Sequence, residues 1–159
     1  MQNNRFTFEY ESYTNQNELT ESDRNLVKQA VAAAQNAYAP YSEFNVGAAV
    51  LLENEQIIKG NNQENAAYPS GLCAERVALF YANAMYPDLA VKAIAVVAIK
   101  NGDMVPSVVT PCGNCRQVML ETESRFKEPI RIVMGSKNGF WIVNKAQNLL
   151  PLSFTDDSL

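Results

Sequence analysis

Histidine is absent from this 159-residue chain, and cysteine occurs only three times. Any soft metal site must therefore rest on thiolates, and the odd thiol count disfavours a closed disulfide framework. No apolar run approaches the ~20 residues needed to span a bilayer, and the opening MQNNRFTFEYESYTNQNE lacks the apolar core of a secretory signal. A soluble, cytoplasmic protein with no membrane partner is expected. Basic residues are outnumbered 13 to 17, giving a net charge of −4, which argues against a broad surface for nucleic-acid backbone. Repeats, low-complexity tracts and linkers are also missing. What remains is an ordinary composition, 47% apolar and 19% charged, suited to one domain with its own core and to small-molecule chemistry.

Along the chain, Phe6, Phe8 and Tyr10 alternate with polar residues, the period of an edge strand within a polar extension covering residues 1–17. The single domain then covers 18–159. Thr20 and Asp23 have capping-box spacing ahead of Leu26, Val27, Ala30, Val31 and Ala34, a helix expected to run to about Tyr38 before Pro40. FNVGAAVLLE and QIIKGNN read as a hairpin closed at Asn54-Glu55, and SGLCAERVALFYANAM as a second helix. VKAIAVVAIK, followed by the turn signal Asn101-Gly102, reads as a strand buried on both faces. A third helix is expected from Pro111, with Val118, Met119 and Phe126 facing inward. IRIVMGS and FWIVNK are too closely linked to be anything but antiparallel neighbours. The fold class is α/β: a three-layer α/β/α sandwich around a mixed five-stranded sheet.

The cysteines fall at helix starts. Cys112 and Cys115, three apart, share one face of a first turn, and Cys73 opens the second helix. Backbone N–H groups and the positive dipole end favour thiolates there. Two such starts can meet at the carboxyl edge of a parallel strand pair. Three protein ligands suit zinc with one coordination position left open, as at a catalytic centre. Glu75 then becomes a candidate proton acceptor, and Arg76 a guanidinium able to draw charge from the sulfurs. Taken singly, each has a plainer explanation. A lone C-x-x-C is often structural or redox-active, and Glu75 and Arg76 could be ordinary first-turn residues.

The combination of CAE with PCGNC resembles the all-cysteine form of the zinc deaminase signature. More closely, YSEFNVGAAV, GNNQENAAY, GLCAER, TPCGNCRQ and LLPLSF stand in the order found in homotetrameric cytidine deaminases, a likeness covering Tyr38 to Phe154. That resemblance implies one zinc per subunit on Cys73, Cys112 and Cys115, with Glu75 as proton shuttle. It places Asn62 and Glu64 on the ribose and Phe44 near the pyrimidine, and main-chain groups beside the metal residues, such as that of Ala74, are expected to read the edge of the base. Tyr68 is implied near a subunit contact, and Phe154 in the active site of a neighbouring subunit. The implied activity is hydrolytic deamination of cytidine and 2'-deoxycytidine in pyrimidine salvage. Gln63 and Ala67 depart from the family's usual small apolar residue and serine. A blasticidin S-type deaminase would share the metal residues without needing the Asn62–Glu64 pair. A polynucleotide deaminase would need a basic track, and a non-enzymatic zinc or redox module would need no open metal position.

Overall fold

Val91–Lys100 form β4, buried everywhere except at Lys92 and Lys100, and the sheet is assembled around this strand. In the computed structural model, which describes residues 1–156 and 159, the sheet order is β1-β7-β6-β4-β2-β3. Here β1 is Glu11–Tyr13, β2 Asn45–Leu52, β3 Ile57–Asn61, β6 Arg131–Ser136 and β7 Gly139–Val143. The two-residue β5, Asp103–Met104, folds back on the end of β4. Asn101 and Gly102 both take positive φ, 55° and 82°, as a tight hairpin with right-handed strand twist requires. Among the described residues β4 and β6 are the parallel pair, and the other pairings are antiparallel.

The sheet thus has seven strands, not five. The additions are β5 and β1, and β1 lies just after the aromatic alternation that suggested a strand. Register explains the shift. Glu11 pairs with Ile142, so a ladder extended backward reaches the last residue of β7, Val143, after one step. Phe6 and Phe8 have no strand left to pair with. The arm instead lays aromatic rings on one another, Phe8 stacking 5.9 Å from Tyr10 and Tyr10 tilting 5.1 Å from Trp141.

Helix α1, Glu21–Ala34, covers one sheet face with Leu26, Val27, Ala30 and Ala34. Helices α2, Ala74–Met85, and α3, Gly113–Phe126, cover the other, where Ala78, Leu79, Cys115 and Met119 meet Val50, Ile94, Val96 and Ile132. The three-layer arrangement is therefore present. Thr20 caps α1 by accepting from the Asp23 N–H at 3.1 Å, but the reciprocal capping-box bond does not form. The buried Asp23 carboxylate is drawn to Arg131 at 3.1 Å. Helix α1 also stops short of Tyr38, because the Tyr38 N–H donates to the Asn62 carbonyl and the Glu64 N–H to the Tyr38 carbonyl. Pro111 precedes the N-cap of α3, Cys112, so the helix begins two residues later than expected. No helix among the described residues is long and apolar enough to cross a membrane.

Candidate active site

Cys73 is the N-cap of α2 and Cys112 the N-cap of α3; neither side chain caps its own helix, which leaves both thiols free to face the gap between the helix starts. β3, the strand before α2, and β4, the long strand from which the short β5 leads on to α3, run the same way, but antiparallel β2 lies between them. The helix starts therefore meet across an intervening strand and not over a hydrogen-bonded parallel pair. Cys115, one turn into α3, is fully buried below them.

The sulfurs of Cys73 and Cys112 lie 3.8 Å apart, those of Cys112 and Cys115 3.6 Å, and all three lie within 4.8 Å of one another. All three cysteines are unbridged. Tetrahedral zinc with Zn–S bonds of about 2.3 Å separates its sulfurs by about 3.8 Å, so spacing and donor softness both fit that ion. Hydrogen bonding from Cys115, then from Arg76 and Cys112, pulls the Cys73 thiol down to about 5. Cys115 shifts upward, because its proton is shared with the Cys73 sulfur and because it is buried. The cluster thus holds one ready thiolate at Cys73 beside the buried Cys115 thiol, whose proton is held more tightly.

Glu75, in the first turn of α2, is only 4% exposed, and burial, followed by the negative charge at Cys73, raises its carboxyl above the usual range. Arg76 directs Nη2 to the Cys73 sulfur at 3.8 Å and to the Gly71 carbonyl at 3.5 Å. Its buried Nε has no partner among the described residues.

These groups open onto a cleft of about 490 Å³ lined by Cys73, Cys112, Glu75, Arg76, Asn62, Glu64 and Tyr68 among others. The Glu64 carboxylate accepts from the Tyr41 N–H at 2.9 Å and the Ser42 hydroxyl at 2.5 Å, and the Ser42 hydrogen bond is the chief reason its pKa is lowered. Asn62 is engaged at both ends, its Oδ1 accepting from the Val46 N–H at 2.8 Å and its Nδ2 donating to the Phe44 carbonyl at 3.0 Å. Each of these groups keeps hydrogen-bonding capacity for a ligand, since the amide has a second proton and the oxygens further lone pairs.

Three expected contributors stand apart. Phe44 is half-buried and does not line the cleft, Ala74 is fully buried with its carbonyl facing Gly60, and Phe154 is 62% exposed outside the cleft. Tyr68 sits at the rim, 86% exposed. The structure adds Ser42, which organises Glu64, and Val109 and Thr110, which also line the cleft. Ser42 was visible within YSEF but carries no chemistry of its own. Val109 and Thr110 belong to an irregular loop with no periodic signal.

The family model for the cytidine and deoxycytidylate deaminase zinc-binding region matches residues 20–128. A cytidine deaminase of Halalkalibacterium halodurans is 40% identical over 136 residues, 84% of this chain and 95% of that protein. One from Mycobacterium tuberculosis is 36% identical over 117 residues, 71% of this chain and 84% of that protein. The crystal structure of cytidine deaminase from Burkholderia pseudomallei aligns with a TM-score of 0.69 at 39% identity, covering 86% of this chain and all of that one.

Proposed function

We propose, since this chain belongs to the cytidine and deoxycytidylate deaminase family, that it hydrolyses cytidine and 2'-deoxycytidine to uridine and 2'-deoxyuridine with release of ammonia, a step of pyrimidine salvage. The observation that carries this is the convergence of three sulfurs and one buried carboxylate, with Cys73, Cys112 and Glu75 lining one cleft. Cys73, Cys112 and Cys115 would hold one zinc per subunit, which when bound supplies the Lewis acidity that makes water a nucleophile at neutral pH.

The remaining work falls to the protein's side chains. Glu75 takes a proton from the water that attacks C4 and delivers it to N3. It then carries a second proton to the amino group, which leaves as ammonia while C4 becomes a carbonyl. Arg76, beside the Cys73 sulfur, offsets part of the thiolate charge. Asn62 and Glu64 receive the sugar hydroxyls, Phe44 packs towards the pyrimidine, and the main chain at Ala74 reads the base edge. The Asn62–Glu64 pair favours ordinary nucleosides over an antibiotic substrate.

The assembly we infer is a homotetramer, with Tyr68 near a subunit contact and Phe154 capping a neighbour's cleft. Supporting it, Phe154, Tyr68, Phe80, Tyr81 and Met85 are all large apolar groups exposed on the single chain. Three unbridged thiols suit a reducing compartment, and we place the enzyme in the cytoplasm. The direct test incubates purified protein with cytidine and follows loss of its ultraviolet absorbance together with ammonia. Stoichiometric conversion is expected. Zinc-replete protein that leaves cytidine intact but consumes blasticidin S or a cytosine-containing single strand would overturn the assignment.

A further inference from the structure

Helix α3 does more than present Cys112 and Cys115; it also carries the segment that follows β7. The Glu123 carboxylate, 9% exposed, accepts from the Ala146 N–H at 2.7 Å and the Gln147 N–H at 3.1 Å. Nearer the helix start, Arg116 donates from Nη1 to the Leu149 carbonyl at 3.1 Å and from Nε to the Pro111 carbonyl at 2.9 Å. Gln117 Nε2 donates to the Phe154 carbonyl at 2.9 Å. Residues 146 to 149 thus run along α3 towards its cysteine-bearing end, and after the reversal at Pro151–Leu152 the chain lies beside the later half of the helix, Leu152 and Ser153 sharing a cavity with Leu120, Glu123 and Lys127.

The last of these bonds reaches a stretch beyond the final short helix, and among the described residues it is the one side-chain hydrogen bond to residues 151–155. Within that stretch Leu152 has φ 54°, a left-handed conformation that a leucine keeps only when its surroundings impose it. Its side chain is fully exposed, so packing does not impose it. It is the second central residue of a Pro151–Leu152 turn, the position that takes positive φ in a type II turn, and the bonds at Leu149 and Phe154 flank that turn. Without the second, the chain beyond Pro151 would regain backbone freedom.

We propose that Gln117 is a positioning residue that, together with Arg116, registers the Phe154 main chain on the helix whose first turn holds two of the three candidate metal ligands. The metal site and the aromatic ring offered to a neighbouring cleft are then set by one rigid element. This rests on the assignment of Phe154 as a cap on that cleft. The tether itself is a property of one chain and is measured separately.

The experiment compares Gln117→Met, which keeps length but loses the donor, with Gln117→Lys, which restores a donor at similar reach. Zinc content, hydrogen exchange of residues 150–156 and steady-state kinetics are read on the full-length protein. Gln117→Met should keep its zinc, accelerate exchange in that segment and raise KM for cytidine, each by about fivefold as expected for one net hydrogen bond. Its kcat should stay within about twofold, because the donor does not touch the reacting atoms. Gln117→Lys should recover most of both effects. In a Phe154→Ala background the Gln117→Met change should add nothing to KM, since the two act as one unit. Unchanged exchange, loss of zinc, or an additive KM effect overturns the tether. Faster exchange with no KM change in either Gln117→Met or Phe154→Ala supports the tether and overturns the capping assignment instead.

Discussion

Gly60 and Ala78 meet main chain to main chain: a Cβ on Gly60 would lie 2.5 Å from the Ala78 nitrogen and 2.5 Å from the Ala74 carbonyl oxygen. Strand β3 and helix α2 are locked at this point, a few residues from Cys73 and Glu75. Gly60→Ala must push the helix start away, because backbone cannot rotate aside as a side chain can. The expected cost is about 1–3 kcal/mol of stability, together with weaker zinc retention. Chemical denaturation and elemental analysis measure the two effects; a variant of unchanged stability would show that α2 yields freely.

Cys112→Ala should reduce zinc from about one per chain to a small residue, and activity with it, because two thiols leave the three-ligand pattern incomplete. Stripping the native protein with a chelator should expose three titratable thiols, matching the three cysteines of the chain. Iron in place of zinc, or full zinc retention by the variant, would refute the ligand assignment.

Glu75→Gln should retain zinc and fold, since Glu75 is not among the clustered sulfur donors, yet lose at least ~10²-fold in turnover for want of a proton carrier. Near-normal kcat in a zinc-loaded variant would remove the proposed mechanism.

The cysteine cluster was legible in the sequence because short spacings govern each half of it. Cys112 and Cys115 must share a helical turn, and the C-A-E-R run fixes Glu75 and Arg76 relative to Cys73. The layers were legible too, through the periodicities of Leu26, Val27 and Ala30 and the unbroken apolar run of β4. Long-range register was less accessible. Where β1 falls depends on where β7 ends, and the seventh strand, β5, needs only two residues after a turn. Side-chain bonds to distant backbone left even less trace. Asn62 spans the Phe44 carbonyl and the Val46 N–H, and Gln117 reaches Phe154, through contacts 16 to 37 residues apart in sequence.

Ser42 gives a prediction in pH. Its hydroxyl, and after it the Tyr41 N–H, depresses the Glu64 pKa. A depressed carboxylate contributes stability above its unfolded value, about 4.3, and loses it as pH falls through the lower folded value. Ser42→Ala removes the largest cause, so the folded pKa should rise towards the ordinary range. Glu64 should then protonate at higher pH, and the acid limb of kcat/KM for cytidine should shift the same way. Carboxyl NMR titration of Glu64 tests the first step. An unmoved midpoint would mean that the main-chain donors alone set it.

Assembly decides whether one chain contains a complete site. Phe154 lies outside its own cleft and is 62% exposed, so a capping role requires another chain. At cytidine concentrations well below KM, Glu75→Gln protein would lack the proposed proton carrier at every site, and Phe154→Ala protein would lack the proposed cap. If each cleft takes its cap from a neighbour, subunit exchange in an equal mixture pairs an intact Glu75 with an intact Phe154 at about one quarter of the sites. Activity should therefore rise above that of either parent, on the timescale of exchange and in proportion to the mixed assemblies formed. With self-contained sites every cleft keeps one defect, and mixing restores nothing. Light scattering on the native protein gives an independent check, since an active monomer at assay concentration would exclude shared sites whatever the mixture does.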